Sequence, residues 1–240
     1  MTDTMLQQLR DSLRQGGLRG TLLRALAYVV DYWWDLKYHT DTFAWVAVER
    51  LGIDAQLQAH AQRYQPSQVV PLRRLLRTLD IPPGKVLVDL GCGKGKVLLL
   101  AAEFGFAEVR GVEVSPVLCE IARNNCATYR QKTNTPTQFV IVQADARQYP
   151  LADDEEVFFL FNPFDAAVVE QVIRRIGTSL FRRKRKIWIL YGYPIHRATV
   201  EETLAASAHR EEFTFWGQDF TVFVVEPGPA LESPRAPSAS

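Results

Sequence analysis

An acidic residue followed by alternating glycines is the feature of this sequence best suited to ligand chemistry. Asp89 ends an apolar run, and Gly91, Gly93 and Gly95 precede a second apolar run. The first run is typical of a strand and the second of a helix, so the glycines are predicted to form a tight strand-to-helix turn. Such turns present backbone N–H groups at a helix N-terminus and usually hold a ligand.

The spacing of the glycines separates the ligands that the turn could hold. A P-loop requires Gly-Lys followed by Ser or Thr, whereas Lys96 is followed by Val97. The dinucleotide fingerprint has its third glycine three positions after the second, but Gly95 comes only two positions after Gly93. The pattern therefore argues against a P-loop and weakens, without excluding, a nicotinamide-dependent oxidoreductase.

Charge discriminates further between cofactors. The carboxylate of Asp89 would repel the pyrophosphate of a dinucleotide. S-adenosylmethionine carries an ammonium and a sulfonium and no phosphate, so an acid at the strand end fits its amino-acid portion. Glu113, at the end of the next predicted strand, could accept hydrogen bonds from both hydroxyls of a ribose, which suits either cofactor. S-adenosylmethionine is therefore the favoured cofactor and NAD the alternative.

Three motifs, VDLGCGKG, GVEVS and QADAR, resemble the successive cofactor motifs of class I S-adenosylmethionine-dependent methyltransferases. Together with FNPF and an upstream run DT…Y.P, they look most like bacterial members of unassigned substrate that are distantly similar to nucleosomal lysine methyltransferases. The resemblance implies cofactor contacts from Asp89, Gly91, Cys92 (through its backbone at most) and Gly93 around the methionine portion, from Glu113 at the ribose, and from Asp145 with Ala146 beside the adenine.

The segment FNPFD follows the fourth predicted strand, whose carboxyl end should face the transferred methyl group. It resembles the Asn-Pro-Pro-aromatic motif of methyltransferases that act on exocyclic amines and glutamine amides, but departs from it at Phe164 and Asp165. Asn162 could accept a hydrogen bond from an amine, Pro163 cannot donate one, and Phe164 could stack on a planar or cationic acceptor. These three are the candidate catalytic residues; an Asn-Pro turn that merely opens the next helix is the alternative.

Short β-rich runs alternate with helical patterns from residue 84 onward, which is typical of a parallel sheet built from βαβ units. The predicted fold is α/β: a Rossmann-like, doubly wound, seven-stranded sheet with a C-terminal antiparallel hairpin, a helical N-terminal cap and a ligand crevice at the carboxyl ends of the strands. Predicted strands cover residues 85–90, 108–114, 138–143, 157–161, 186–192, 211–216 and 220–226. Predicted helices cover residues 67–79, 95–105, 115–130, 165–181 and 197–209.

The chain divides into a predicted helical cap or lid (1–64), a methyltransferase domain (65–226) and a disordered tail (227–240). In the cap, the paired tryptophans Trp33 and Trp34 are expected to pack against the sheet, with substrate stacking as the alternative. His39 and Asp41 are candidates for a general base.

Several cations of the sequence have no obvious role in the predicted domain. Lys94 is expected to meet the carboxylate of the cofactor and Lys96 to point to solvent, because a cation at a helix N-terminus opposes the helix dipole. The basic run 182–186 is interpreted as a solvated connection, with a site for phosphate or an acidic protein surface as the alternative.

Composition bounds the partners and the compartment. Lys and Arg total 28 against 27 for Asp and Glu, so the net charge of +1 gives no global reason to expect a polyanionic partner. Three irregularly spaced cysteines predict neither a disulfide framework nor a metal site and fit a reducing compartment, so the cytoplasm is the expected location. The most apolar early stretch is too short to cross a bilayer; a helix packed on the domain is expected, with an interfacial helix as the alternative.

The sequence as a whole predicts a methyltransferase that acts on a nitrogen of a protein side chain. A nucleobase or small-molecule amine is the second choice of acceptor, and nucleic acid is possible but not favoured. An NAD-dependent oxidoreductase and a non-catalytic cofactor-binding partner protein are the alternatives from other classes.

Overall fold

The computed structural model describes residues 22–23, 26–44, 46, 51–53, 66–161, 164–204 and 208–227 of the 240-residue chain. In chain order the helices and strands are α1 (26–38), α2 (Val69–Thr78), β1 (Val86–Leu90), α3 (Lys96–Ala101) with a 3-10 turn (Ala102–Phe104), β2 (Glu108–Glu113), α4 (Pro116–Thr133), β3 (Gln138–Gln143), β4 (Glu155–Phe161), α5 (Ala166–Arg182), β5 (Ile187–Gly192), α6 (Arg197–Leu204), β6 (Ala208–Phe215) and β7 (Gln218–Val225).

The seven strands form one sheet in the order β3-β2-β1-β4-β5-β7-β6. The first five strands pair in parallel, and β7 is antiparallel to both β5 and β6. The order reverses at β1, so the predicted doubly wound sheet with a terminal hairpin is confirmed. The carboxyl ends of β1, β2 and β4 therefore meet at one edge of the sheet, where ligands of open α/β folds bind.

The hairpin turn is one point at which the sequence prediction was wrong. The predicted loop had three residues, whereas Trp216 and Gly217 alone connect the two strands. Both have positive φ angles, 54° and 73°, as a two-residue type I′ turn requires. The aromatic Trp216 was assigned to the strand because aromatic residues favour strands, but its backbone lies in the turn.

The sheet is buried on both faces. Alternate residues of β4 show this, because Phe159 belongs to the core cluster beneath α2 and α3 and Phe158 to the cluster beneath α5. Strands covered on both sides are almost continuously apolar, as in β5, where every residue is buried.

Helix α1 packs on the first of these faces. Trp34 is buried, and its ring stacks on Tyr129 of α4 with the ring centroids 5.9 Å apart, as expected for a packing role. Trp33, in contrast, is 64% exposed. Within the described residues, no helix combines the length and the apolar character that a membrane span requires.

Candidate functional site

The glycine turn between β1 and α3 has the conformation that its sequence predicts. Gly91, Gly93 and Gly95 all have positive φ angles, of 88°, 53° and 84°, which residues with a Cβ rarely adopt. The N–H groups of Gly91 and Cys92 donate to the carbonyl oxygen of Val112 at 2.8 and 3.0 Å, which holds the turn against β2.

A fourth glycine, which the sequence reasoning did not use, permits this close approach. A Cβ at Gly111 of β2 would lie 2.6 Å from Sγ of Cys92 and 2.8 Å from Cδ1 of Leu98. Any larger residue would therefore have to displace the side chains of Cys92 in the turn and Leu98 in α3. The signal in the sequence is a glycine in the interior of a strand, which often marks a close approach of another backbone.

Asp89 lies at the carboxyl end of β1 and is only 2% exposed. Burial, and then the negative charge of Glu113, raises the pKa of its carboxyl well above the ordinary value. Among the described residues, none donates a hydrogen bond to this carboxyl. Since buried polar groups nearly always have a partner, the group fits a role in holding the cation of a ligand.

Glu113 ends β2 and faces the same turn. Its Oε2 accepts from the N–H of Gly93 at 3.0 Å and its Oε1 from the N–H of Ser115 at 2.9 Å, so two backbone groups fix its orientation. Burial raises the pKa of the carboxyl, although these backbone hydrogen bonds oppose the increase. A carboxylate has about four lone pairs, so both oxygens keep acceptor capacity for the hydroxyls of a ribose.

Asp145 and Ala146 follow β3 at the same edge. The pairing of Glu113 with Gln143 places the ends of β2 and β3 side by side, and Asp145 lies two residues beyond. Its carboxylate accepts from the backbone N–H of Arg147 at 2.8 Å and from the guanidinium of that residue. Partial burial would raise the pKa of Asp145, but the hydrogen bonds from Arg147 outweigh it and lower the pKa. Ala146 is buried.

Of the candidate catalytic residues, Asn162 and Pro163 lie outside the described residues. Phe164 is partly buried and packs against the core beneath α5. Asp165 caps α5, because its side chain accepts from the N–H of Val168 at 2.9 Å. The Asn-Pro turn that was the alternative for this segment also lies outside the described residues, and both it and the stacking role of Phe164 stay predictions.

Two aromatic rings stand where the acceptor is expected. Phe161, the last residue of β4, makes an edge-to-face contact with Tyr193 after β5, with 5.9 Å between the ring centroids. A Cβ at Gly192 would lie 2.6 Å from the ring of Phe161, so glycine allows the ring its position.

A cleft of about 430 Å³ lies beyond these rings, between the segment after β5 and the β6–β7 hairpin. Glu212 in the cleft forms an ion pair with Arg197 at 2.6 Å, and Asp219 accepts from Oγ1 of Thr214 at 2.7 Å. The lining consists of Tyr193, Pro194, Ile195, Arg197, Glu212, Phe213, Thr214, Asp219, Phe220 and Thr221.

The two lysines of the glycine turn each contact an acid of the N-terminal region. Lys94 is buried, and its Nζ lies 2.8 and 2.9 Å from the carboxylate oxygens of Asp41, so its ammonium contacts an acid of the cap. The expectation that Lys96 points to solvent was wrong: it is 2% exposed, and its Nζ lies 3.5 Å from Oδ1 of Asp31. Helix α1 covers the start of α3, and the acid it brings offsets the unfavourable position of the cation at a helix N-terminus.

Asn125 of α4 joins the cap to the glycine turn and was missed by sequence reasoning. Its Nδ2 donates to the backbone oxygens of Asp41 at 3.0 Å and Lys94 at 2.9 Å, and its Oδ1 accepts from the N–H of Asp41 at 2.8 Å. The candidate base Asp41 is thus held beside the cofactor turn although its side chain is exposed, and His39 is exposed as well. An asparagine within an amphipathic helix was the available signal, since it disfavours helix interiors without a specific partner.

The basic run after α5 is not uniformly solvated. Arg185 is buried, and its guanidinium donates to the carbonyl oxygen of Glu155 at 2.7 Å and to Oγ of Ser179 at 3.0 Å. The interpretation of the run as a solvated connection was therefore wrong for this residue, because a neighbouring strand and helix end offered it acceptors. The described residues contain no group of three or more side chains suited to a metal ion.

Comparison with known proteins agrees with this geometry. Residues 87–181, which run from β1 to near the end of α5, match a protein-family model described as a methyltransferase domain. The matched segment covers 95 of the 240 residues of the chain.

Two curated relatives show the extent of the sequence similarity. The chain is 37% identical over 62 residues to trans-aconitate 2-methyltransferase of Methylobacterium radiotolerans, and the match covers 25% of this chain and 24% of the relative. It is 33% identical over 78 residues to ribosomal protein L11 methyltransferase of Burkholderia mallei, which covers 30% of this chain and 26% of the relative. The match thus spans about a quarter of the length of each relative.

Solved structures share the fold at low sequence identity. TrmN from Thermus thermophilus superposes with a TM-score of 0.51 at 19% identity, over 67% of this chain and 49% of that protein. The tRNA methyltransferase TrmK of B. subtilis gives a TM-score of 0.51 at 14% identity, over 66% of this chain and 65% of its own. The putative methyltransferase yhhF of Escherichia coli gives a TM-score of 0.50 at 17% identity, over 65% of this chain and 85% of that protein.

Proposed function

We propose that this protein is an S-adenosylmethionine-dependent methyltransferase that transfers the methyl group to a nitrogen of a protein side chain. The carboxyl of Asp89, buried at the strand end with no donor among the described residues, is the observation that supports the cofactor in this proposal. An ammonium group would supply the missing partner and favour the ionised carboxylate.

The neighbouring residues fit the other parts of the cofactor. The backbone of Gly91 and Gly93 allows a close approach without side chains. Glu113 would hold the ribose hydroxyls with its remaining lone pairs, while Asp145 and Ala146 would flank the adenine. When bound, S-adenosylmethionine supplies an electrophilic methyl group on a sulfonium.

The remaining task of the chain is to orient an acceptor, exclude water and receive a proton where the acceptor carries one. Phe161 and Tyr193 form an apolar wall beside the end of β4 that suits an amine, since aromatic faces attract cations. Asn162 would accept a hydrogen bond from the nitrogen. Asp41, held by Lys94 beside the glycine turn, is the proposed proton acceptor.

Charge favours a protein over a nucleic acid as the acceptor. The cleft next to the aromatic wall carries the carboxylates of Glu212 and Asp219 against the single cation of Arg197, which disfavours a phosphate backbone. Arg185 of the basic run is buried and so does not contribute to a phosphate site. One of the relatives, by its name, acts on a ribosomal protein.

Calorimetric titration with S-adenosylmethionine and its demethylated product tests the cofactor. Asp89→Asn and Glu113→Gln should each weaken binding about tenfold or more, because each removes a charge-assisted interaction worth roughly 1.5–3 kcal/mol. Asp80→Asn, at an exposed acid, is the matched control and should bind as the wild type does. Since burial raises the pKa of Asp89, affinity should fall as the pH is lowered through that raised pKa. Binding of NAD in place of S-adenosylmethionine would contradict the proposal.

Transfer from methyl-labelled S-adenosylmethionine to cell lysate tests the acceptor. We expect label that is sensitive to protease, resistant to nuclease and stable to mild alkali, as an N-methyl group is and a methyl ester is not. Asn162→Ala should lose transfer while keeping the cofactor affinity of the wild type. Label in the nuclease-sensitive fraction would instead indicate a nucleobase, and label in the low-molecular-weight fraction a small amine.

A further inference from the structure

Helix α1 presents an apolar surface to solvent. Seven large apolar side chains, six on α1 and one at residue 22, are between 38% and 64% exposed: Leu22, Leu26, Tyr28, Val29, Tyr32, Trp33 and Leu36. Five of them, Leu22, Leu26, Val29, Trp33 and Leu36, recur at intervals of four, three, four and three residues. We call these five residues the α1 seam.

The outward orientation of the seam is fixed by contacts on the opposite side of the helix. Oδ1 of Asp31 accepts from the N–H of Val69 at 2.8 Å. The carboxylate of Asp35 accepts from the N–H groups of Thr42 and Phe43, both at 2.7 Å. Rotating α1 to bury the seam would break these hydrogen bonds and expose Trp34 in place of its contact with α4. The helix is therefore held with its apolar side outward.

The width of the seam indicates what covers it. At about 100° per residue, the four members on α1 lie within about 80° of the helix circumference, and the exposed rings of Tyr28 and Tyr32 lie on one flank of them. Apolar residues at 3-4 spacing are the pattern of a helix–helix seam, whereas a helix that lies on lipid has an apolar side bordered by Lys and Arg. Arg24 and Lys37 are the two cations within residues 22–38.

The size of the surface agrees with a protein partner. Seven large side chains, each about half exposed, offer on the order of several hundred Å² of apolar area, near the ~800 Å² that each partner contributes to a standard interface. Patches of this size on a monomer are unusual and mark interaction sites, and Tyr and Trp are enriched at such interfaces.

We propose that the α1 seam pairs with the same seam of a second copy of this chain, which gives a two-fold symmetric dimer. A symmetric interface uses one self-complementary patch, and a strip of Leu, Val and Trp at 3-4 spacing can interdigitate with itself. The dimer would brace α1 and, through Asp31 and Lys96, the start of α3 at each cofactor turn. The proposal does not depend on methyl transfer.

Sedimentation velocity over a wide concentration range tests the dimer. The wild type should sediment as a dimer that dissociates on dilution, and the double variant Leu26→Glu/Trp33→Glu should be monomeric at every concentration. Ile195→Glu, at a side chain that is 66% exposed on another part of the molecule, should remain dimeric. Thermal unfolding of each variant checks that the substitutions leave the fold intact.

Cross-linking provides an independent reading if the double variant fails to fold. Val29→Cys at the middle of the seam should form an inter-chain disulfide under mild oxidation, whereas Val117→Cys, also exposed, should not; the three native cysteines are buried. A wild type that is monomeric at all concentrations would overturn the proposal. Flotation of the monomeric wild type with anionic lipid vesicles would overturn it in favour of a membrane surface.

Discussion

Replacement of Lys96 by methionine should destabilise the protein strongly and in a pH-dependent way. Lys96 and Asp31 are both almost fully buried, with Nζ of the lysine 3.5 Å from Oδ1 of the acid. Among the described residues, neither Nζ of Lys96 nor Oδ2 of Asp31 has a hydrogen-bond partner. Burial accordingly raises the pKa of Asp31 and lowers that of Lys96. Without the lysine, the acid can remain buried only in its protonated form.

The magnitude follows from the free energy of protonating that acid. Asp31 has a pKa of about 3.9 when unfolded, so keeping it neutral in the folded variant costs up to about 4 kcal/mol near pH 7 and about 1.5 kcal/mol near pH 5, at 1.36 kcal/mol per pH unit. A carboxyl whose pKa is higher in the folded than in the unfolded state stabilises the fold less as the pH rises above the unfolded-state pKa. The variant should therefore lose stability from about pH 5 to about pH 7 relative to the wild type. The higher figure agrees with the roughly 3–5 kcal/mol measured when one partner of a buried pair is removed.

Urea denaturation followed by circular dichroism at both pH values measures this difference. The double variant Asp31→Asn/Lys96→Met removes both charges and keeps an acceptor for the N–H of Val69, so it should lie within about 1 kcal/mol of the wild type. Lys186→Met, at a half-exposed ion pair, should change stability by less than about 1 kcal/mol. Equal losses for Lys96→Met at the two pH values, or none at either, would refute the reasoning.

Two further predictions concern other buried groups. Arg185→Met should lower the free energy of unfolding by about 2 kcal/mol, because it leaves buried oxygens without a donor. Lys184→Met, at the exposed neighbouring residue, should leave the free energy of unfolding nearly unchanged. Equal effects of the two variants in urea denaturation would contradict this prediction. The native protein should react with a thiol reagent only after unfolding, because burial raises the pKa of Cys119 to about 11, of Cys126 to about 12 and of Cys92 well above its ordinary value. Rapid labelling of one thiol in the native state at mildly alkaline pH would show that a cysteine is accessible.

The fold was predictable because its signals are local. The alternation of strands and helices, the three glycines of the turn and the acids at strand ends are each read from a few neighbouring residues. Parallel strands with right-handed connections then bring the ends of β1 and β2 to one edge, so the positions of Asp89 and Glu113 follow from chain order. The amphipathic patterns also give the helices, apart from the early end of α6 at Leu204.

What the sequence did not predict are pairings between residues far apart in the chain. Lys96 looked solvated because nothing near it in sequence could pair with its charge, and its partner lies 65 positions away on α1. Arg185 lies in a run of cations and was interpreted with them, although acceptors on β4 and α5 allow it to be buried. Local composition assigns such residues to the surface, and tertiary contacts decide otherwise.

These long-range contacts concentrate where the cap meets the cofactor turn, and this concentration has a consequence for binding. Asn125 joins the backbone of Asp41 to that of Lys94. On the other side of the turn, Ser115 donates to the carbonyl oxygen of Leu51 while its N–H is held by Glu113. The groups proposed to hold the cofactor are therefore bonded to the residues that anchor the cap. A ligand that binds only the native arrangement stabilises every contact on which the site depends, so cofactor binding should strengthen the attachment of the cap as well as the turn.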